Sequence, residues 1–85
     1  MPIRVKLVYF GQARDAAGMR EETFTLPDRS SVDLLLTKTS EAHEKIDRIK
    51  GMMKIAVNEE LVDRSQVLRD GDVVALLPPV AGGRR

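Results

Sequence analysis

Residues 30–50 read SSVDLLLTKTSEAHEKIDRIK, and the spacing of their apolar side chains sets them apart from what lies on either side. Val32, Leu35, Leu36, Thr39, His43, Ile46 and Ile49 recur at threes and fours, which draws one apolar stripe along a helix. Ser30 or Ser31 can cap its first turn, and Asp33 sits near the positive end of the dipole. Thr39-Ser40 is the expected point of a break, because both residues have poor helix propensity. Gly51 marks the C-terminal stop.

The period changes on both sides of this helix. Upstream, IRVKLVYF (3–10) alternates, with Ile3, Val5, Leu7 and Tyr9 on one face and Arg4, Lys6, Val8 and Phe10 on the other. GQARDAAG (11–18) reads as a short helical turn, and EETFTL (21–26) as a second strand stopped by Pro27, antiparallel to the first. Downstream, MKIAVN (53–58) is a strand, Glu59-Glu60 a tight connection and Leu61-Val62 a short strand. RDGD (69–72) is a turn, since Asp70-Gly71 tolerates positive φ. VVALL (73–77) is a continuous apolar run, as expected of a central strand buried on both faces, and Pro78 and Pro79 end it.

Strand, strand, helix, then further strands predicts an α+β domain, a mixed sheet of about four or five strands with one main helix packed on one face. A right-handed crossover through that helix sets the first and last strands parallel and adjacent at the sheet centre. This is the β-grasp arrangement. It occupies residues 1–77 and leaves residues 78–85 as a tail.

At 85 residues the chain has room for a single core. Its 42% hydrophobic and 32% charged content is that of a folded globular chain rather than a disordered one. The 14 basic and 13 acidic side chains nearly cancel and are interleaved, and Tyr9, Phe10 and Phe24 are the aromatics. Nucleic-acid binding is not expected without a basic stripe. No apolar run approaches the roughly 20 residues that span a bilayer, and Arg4 and Lys6 interrupt any leader-like start. A cytoplasmic protein with no membrane partner is the expectation. The absence of cysteine excludes a disulfide framework and a thiol nucleophile.

Side-chain chemistry is equally sparse. His43 is the only histidine and reads as a packing or surface group, so no metal site is expected. Glu21-Glu22 and Glu59-Glu60 read as solvated charges rather than an acid–base pair. No phosphate-binding loop occurs. What remains is the chain end, PPVAGGRR. Glycine has no Cβ, so Gly82-Gly83 can thread a cleft that excludes other residues. Pro78, Pro79, Val80 and Ala81 favour an extended path ahead of it, about 3 Å per residue.

YFGQARDAAG (9–18), AVNEELV (56–62) and LRDGDVVALLPPVAGG (68–83) stand in the order and spacing that resemble the small subunits of molybdopterin synthases. The resemblance covers nearly the whole chain, is weakest over residues 40–53, and is most specific at DGDVVALLPPVAGG (70–83). It implies a β-grasp fold and a non-catalytic, sulfur-donating subunit. It also implies that the carboxylate of Gly83 is adenylated by a ubiquitin-activation-like adenylyltransferase, which uses ATP, and converted to a thiocarboxylate with sulfur from a donor protein. The tail then delivers sulfur inside the large subunit, in a heterotetramer, to build the dithiolene of molybdopterin. No cofactor bound by the chain itself is implied. Phe10, in phase with Arg4 and Lys6, is expected on an apolar contact patch of the uncovered sheet face. Leu61 and Leu77, which match positions that meet the large subunit in the family, are its expected companions.

The family pattern ends at the second glycine, whereas Arg84 and Arg85 follow Gly83 here. The family chemistry therefore requires a protease that removes them. A sulfur carrier for another pathway (cysteine, thiamine) and a ubiquitin-like modifier joined to lysines through Gly83 fit the same chain end.

Overall fold

The computed structural model describes residues 1–78. The elements run β1 (Ile3–Tyr9), α1 (Gln12–Ala17), β2 (Glu21–Leu26), α2 (Val32–Ala42), α3 (Glu44–Ile49), a 3-10 turn (Lys50–Met52), β3 (Lys54–Val57), β4 (Glu60–Val62) and β5 (Val73–Leu77). The sheet order is β2-β1-β5-β3-β4. β1 and β5 are parallel and central, and the remaining pairs are antiparallel. This is the expected β-grasp topology.

The alternation in β1 buries Ile3, Val5, Leu7 and Tyr9 on one face. They meet Val32, Leu35 and Leu36 of α2, Ile46 of α3, and Val74 and Leu76 of β5 in a single core. Ser31 is the residue that caps α2, its hydroxyl oxygen accepting from the Leu34 N–H at 3.2 Å. Ser30 instead donates its hydroxyl to the Pro27 carbonyl. No helix among the described residues is long and apolar enough to cross a membrane.

Four local expectations give way. The long helix breaks at His43 rather than at Thr39-Ser40. Thr39 is buried and donates its hydroxyl to the Leu35 carbonyl at 2.7 Å, one turn back, so it satisfies its polar group without leaving the helix. The chain leaves helical geometry at His43, φ −136° and ψ 99°, and α3 starts beyond it. Gly51 is not the stop: α3 ends at Ile49, and Gly51 lies within the 3-10 turn.

The hairpin connection is Asn58-Glu59, one residue earlier than Glu59-Glu60. Both have positive φ, 51° and 72°, which suits the twist of a two-residue hairpin. Asn58 is locked from the side, its amide donating to Asp72 Oδ1 at 2.9 Å and its carbonyl accepting from the Val73 N–H at 3.0 Å. Finally, β5 is buried on one face only. Val74 and Leu76 are fully enclosed, whereas Val73 is 41% exposed and Ala75 and Leu77 are half-buried. The helices all lie on one side, so the apolar run outlasts the cover available to it.

Candidate functional site: the open sheet face and the root of the tail

Strand register places the residues of the face away from the helices in rows. Val8 lies opposite Ala75, Ala75 opposite Ala56, and Ala56 opposite Leu61, which carries one apolar row from β1 to β4. In the next row Leu77 lies opposite Lys54. Phe10 joins that end of the sheet through its N–H, which donates to the Leu76 carbonyl at 3.2 Å. Phe10 is 46% and Leu61 69% exposed. Single exposed apolar side chains are ordinary on a small domain; what marks this face is the continuity of Phe10 with Val8, Val73 and Ala75.

Val8, Phe10, Asn58, Glu59, Val73 and Ala75 line a shallow groove of about 410 Å³ on this face. Leu61 lines a separate hollow with Lys54 and Arg64, and Leu77 lines neither. The structure thus brings Phe10, Leu61 and Leu77 onto one side of the sheet without gathering them into one pocket. The groove residues beyond Phe10 were not singled out from sequence. Val8 shares the phase of Phe10, and the alternation within VVALL puts Val73 and Ala75 together, but a run of apolar residues does not say which face lacks a cover.

β5 delivers the chain to Pro78, the last residue described and an exposed one. It lies against Gly11, whose backbone has φ 53° and ψ −125°. A Cβ at Gly11 would sit 3.2 Å from Pro78 Cγ. Pro79, Val80, Ala81, Gly82, Gly83, Arg84 and Arg85 fall outside the described residues.

The covered side holds a polar cluster. The Tyr9 hydroxyl donates to Glu22 Oε1 at 2.9 Å, and His43 Nε2 is 2.6 Å from the same oxygen. The Tyr9 and His43 rings meet edge to face, centroids 5.9 Å apart. Burial, then the hydrogen bond and negative charge of Glu22, push the Tyr9 phenol well above its ordinary value. Glu22 is therefore not a solvated charge, unlike Glu21, which makes an exposed ion pair with Lys6 at 3.3 Å. The arrangement joins β1, β2 and the α2–α3 break, so His43 serves packing. At the β4 exit the hydroxyl and N–H of Ser65 hold the Asp63 carboxyl below its usual range. Among the described residues no group of acidic, histidine or cysteine side chains is placed to hold a metal ion.

Residues 7–83 match the ThiS family. The chain belongs to the ThiS family. The match stops at the second glycine, and Arg84 and Arg85 lie outside it. The molybdopterin synthase sulfur carrier subunit of Chlamydomonas reinhardtii is 36% identical over 83 residues, covering 95% of this chain and 100% of the relative. A putative molybdopterin converting factor subunit 1 from Pyrococcus furiosus has the same fold, with a TM-score of 0.84 at 35% identity over 92% of this chain and 99% of that one. A chain in the complex of subunits 1 and 2 of the molybdopterin-converting factor from Helicobacter pylori matches with a TM-score of 0.63 and 32% identity, over 95% of this chain and 100% of that one.

Proposed function

We propose that this ThiS-family chain is the sulfur carrier subunit of a molybdopterin synthase and works through Gly83. The observation that carries the reading is the end-to-end match to named sulfur carrier subunits, 95% of this chain against 100% of the relative. The fold supports it by placing the described chain end at the edge of an apolar sheet face, and the Helicobacter pylori complex supports a large-subunit partner.

The chemistry follows from the chain end. While Arg84 is attached, the Gly83 carbonyl is part of a peptide bond and too poor a nucleophile for phosphorus. Hydrolysis after Gly83, by a partner protease, frees a carboxylate. That carboxylate attacks the α-phosphate of ATP on an adenylyltransferase, and pyrophosphate leaves. A persulfide on the donor protein then attacks the acyl carbon and displaces AMP. A thiol reduces the resulting acyl disulfide, leaving the thiocarboxylate on Gly83 and a disulfide on the donor. Phe10, Leu61 and Leu77 dock the domain on the large subunit, and the segment Pro78 to Gly82 carries Gly83 into its active site to form the dithiolene of molybdopterin. ATP belongs to the activating enzyme. The location implied is the cytoplasm, where ATP and a persulfide donor are both supplied.

The test compares the full chain with a chain ending at Gly83. Each is incubated with adenylyltransferase, ATP and a persulfide donor, and the products are weighed. The shorter chain should gain the mass of one oxygen-to-sulfur exchange and the longer chain none. Equal sulfur gain by both defeats the processing step; no gain by either defeats the carrier reading.

A further inference from the structure

We propose that Gly11 is a positioning residue for the C-terminal tail, and that its lack of a Cβ lets the Pro78 ring lie against the β1–α1 corner and sets where the chain leaves the sheet. The inference rests on the sulfur-carrier reading and deepens it.

Three of the four glycines in the described chain have positive φ: Gly11, Gly18 and Gly71. At Gly18 and Gly71 a Cβ would meet nothing within 4 Å, so backbone conformation alone accounts for those two. Gly11 differs. A Cβ there would meet Pro78 Cγ at 3.2 Å, Cβ at 3.5 Å and Cδ at 3.6 Å, all atoms of one ring. The close approach is between the end of β1 and the first residue of the tail.

The corner on which Pro78 leans is held firmly. The Phe10 N–H donates to Leu76 across the central strands, the Ala13 N–H donates to the Phe10 carbonyl at 3.0 Å, and the Asp15 N–H donates to the Gly11 carbonyl at 3.2 Å. Ala13 is fully buried beneath them. Pro78 itself has no N–H to donate to the β5 ladder, so packing of its ring takes a larger share in orienting it. A ring seated on this corner starts the tail from one defined place, which removes part of the ordering that delivery of Gly83 would otherwise require.

An added methyl at Gly11 would push the exposed Pro78 ring, and with it the start of the tail. The ring has to give by a few tenths of an ångström, and small misplacements carried to a reacting group slow its step. Docking on the open face should be largely spared.

The experiment uses thiocarboxylated chains ending at Gly83, which retain every secondary-structure element found among the described residues. Single-turnover sulfur transfer is measured with a saturating molybdopterin synthase large subunit and a sulfur-free pterin acceptor, alongside the dissociation constant for the large subunit. Gly11→Ala should slow transfer by about threefold or more. Its dissociation constant should change by less than about threefold. Because alanine is also strained at this φ, the decisive comparison is the double-mutant cycle with Pro78→Ala. If Gly11 acts through the ring, Gly11→Ala adds no further loss once the ring is gone. An equal loss in both backgrounds, or an unchanged rate for Gly11→Ala alone, overturns the proposal. Should Gly11→Ala fail to fold, Pro78→Gly must slow transfer with Gly11 intact, and an unchanged rate again overturns it. If the parent chain transfers no sulfur, the carrier reading itself fails and this inference goes with it.

Discussion

Both faces of this sheet carry apolar side chains, and only one face is covered; on the open one they share the surface with Arg4, Lys6 and Lys54. On the helix side Leu7, Val74 and Leu76 are wholly enclosed. On the other side their neighbours in the same strands, Val8, Val73 and Ala75, line an open groove with Phe10 at its edge. Burial explains the first set without reference to function. The second set has no partner among the described residues, and a surface shaped only by solvent would favour polar side chains there. The contrast separates what folds the chain from what the chain presents.

The strongest way to sharpen that contrast is a pair of substitutions at adjacent residues of β1. Leu7→Ala removes a fully buried side chain and should destabilise the domain by about 2–5 kcal/mol. That is a large part of the roughly 5–15 kcal/mol that holds small domains together. Val8→Ala, on the open side, should cost less than about 1 kcal/mol. Denaturant unfolding of both variants measures the difference; similar losses would mean that the open face is part of the core after all.

Docking gives the next effect. Phe10→Glu and Leu61→Glu place charge on exposed positions, so the fold should survive with a loss below about 1 kcal/mol. Affinity for a molybdopterin synthase large subunit should fall by about 2 kcal/mol or more if these side chains anchor the interface. Leu77 is half-buried, and the same change there should weaken both binding and folding. Calorimetric titration beside a thermal melt separates the two. Full affinity in both exposed variants would remove the open face from the docking surface.

How much of this was readable from sequence depends on whether a local pattern had a rival. The alternation in β1 and the stripe from Val32 to Ile49 had none, and both hold. The break in that stripe was misplaced because Thr39 reaches back to the Leu35 carbonyl, a side-chain bond that propensity does not register. The hairpin was misplaced because Asn58, read as the end of a strand, adopts a left-handed backbone supported by Asp72, fourteen residues away. VVALL carries no period that tells a covered face from an open one. The approach of Gly11 to Pro78 joins residues at opposite ends of the chain, and only the parallel β1–β5 pairing brings them together.

The covered side also contains an exception to its own chemistry, the Tyr9 hydroxyl on Glu22. Its phenol is raised in the fold, so the neutral form is favoured there more than in the unfolded chain. The stability this contributes is fully present below the unfolded phenol's value of about 10 and is lost as pH rises above it. Tyr9→Phe should lower stability by about 1–2 kcal/mol near neutrality, since Glu22 loses a donor. It should also flatten the decline above about pH 10. Unfolding free energies across that window test both points, and parallel curves for the two proteins would remove Tyr9 as the source.

The smallest effect concerns the turn that borders the open groove. Glu59 has φ 72°, a conformation in which a residue with a Cβ is strained by about 1–2 kcal/mol relative to glycine. Asn58, beside it, is held by Asp72 and Val73, whereas Glu59 has no side-chain hydrogen bond or ion pair among the described residues. Glu59→Gly should therefore stabilise the domain, by less than about 1 kcal/mol once the greater freedom of the unfolded glycine is counted. The side chain lines the groove rather than the core, so its removal leaves no cavity. If the open face is there for a partner, a residue that strains the fold while bordering that face should matter more to binding than to stability. The paired measurement is a melt and a large-subunit titration on the same variant. A gain in stability with weaker binding places Glu59 on the functional side of the comparison; a gain in stability with unchanged affinity limits it to a turn that tolerates strain.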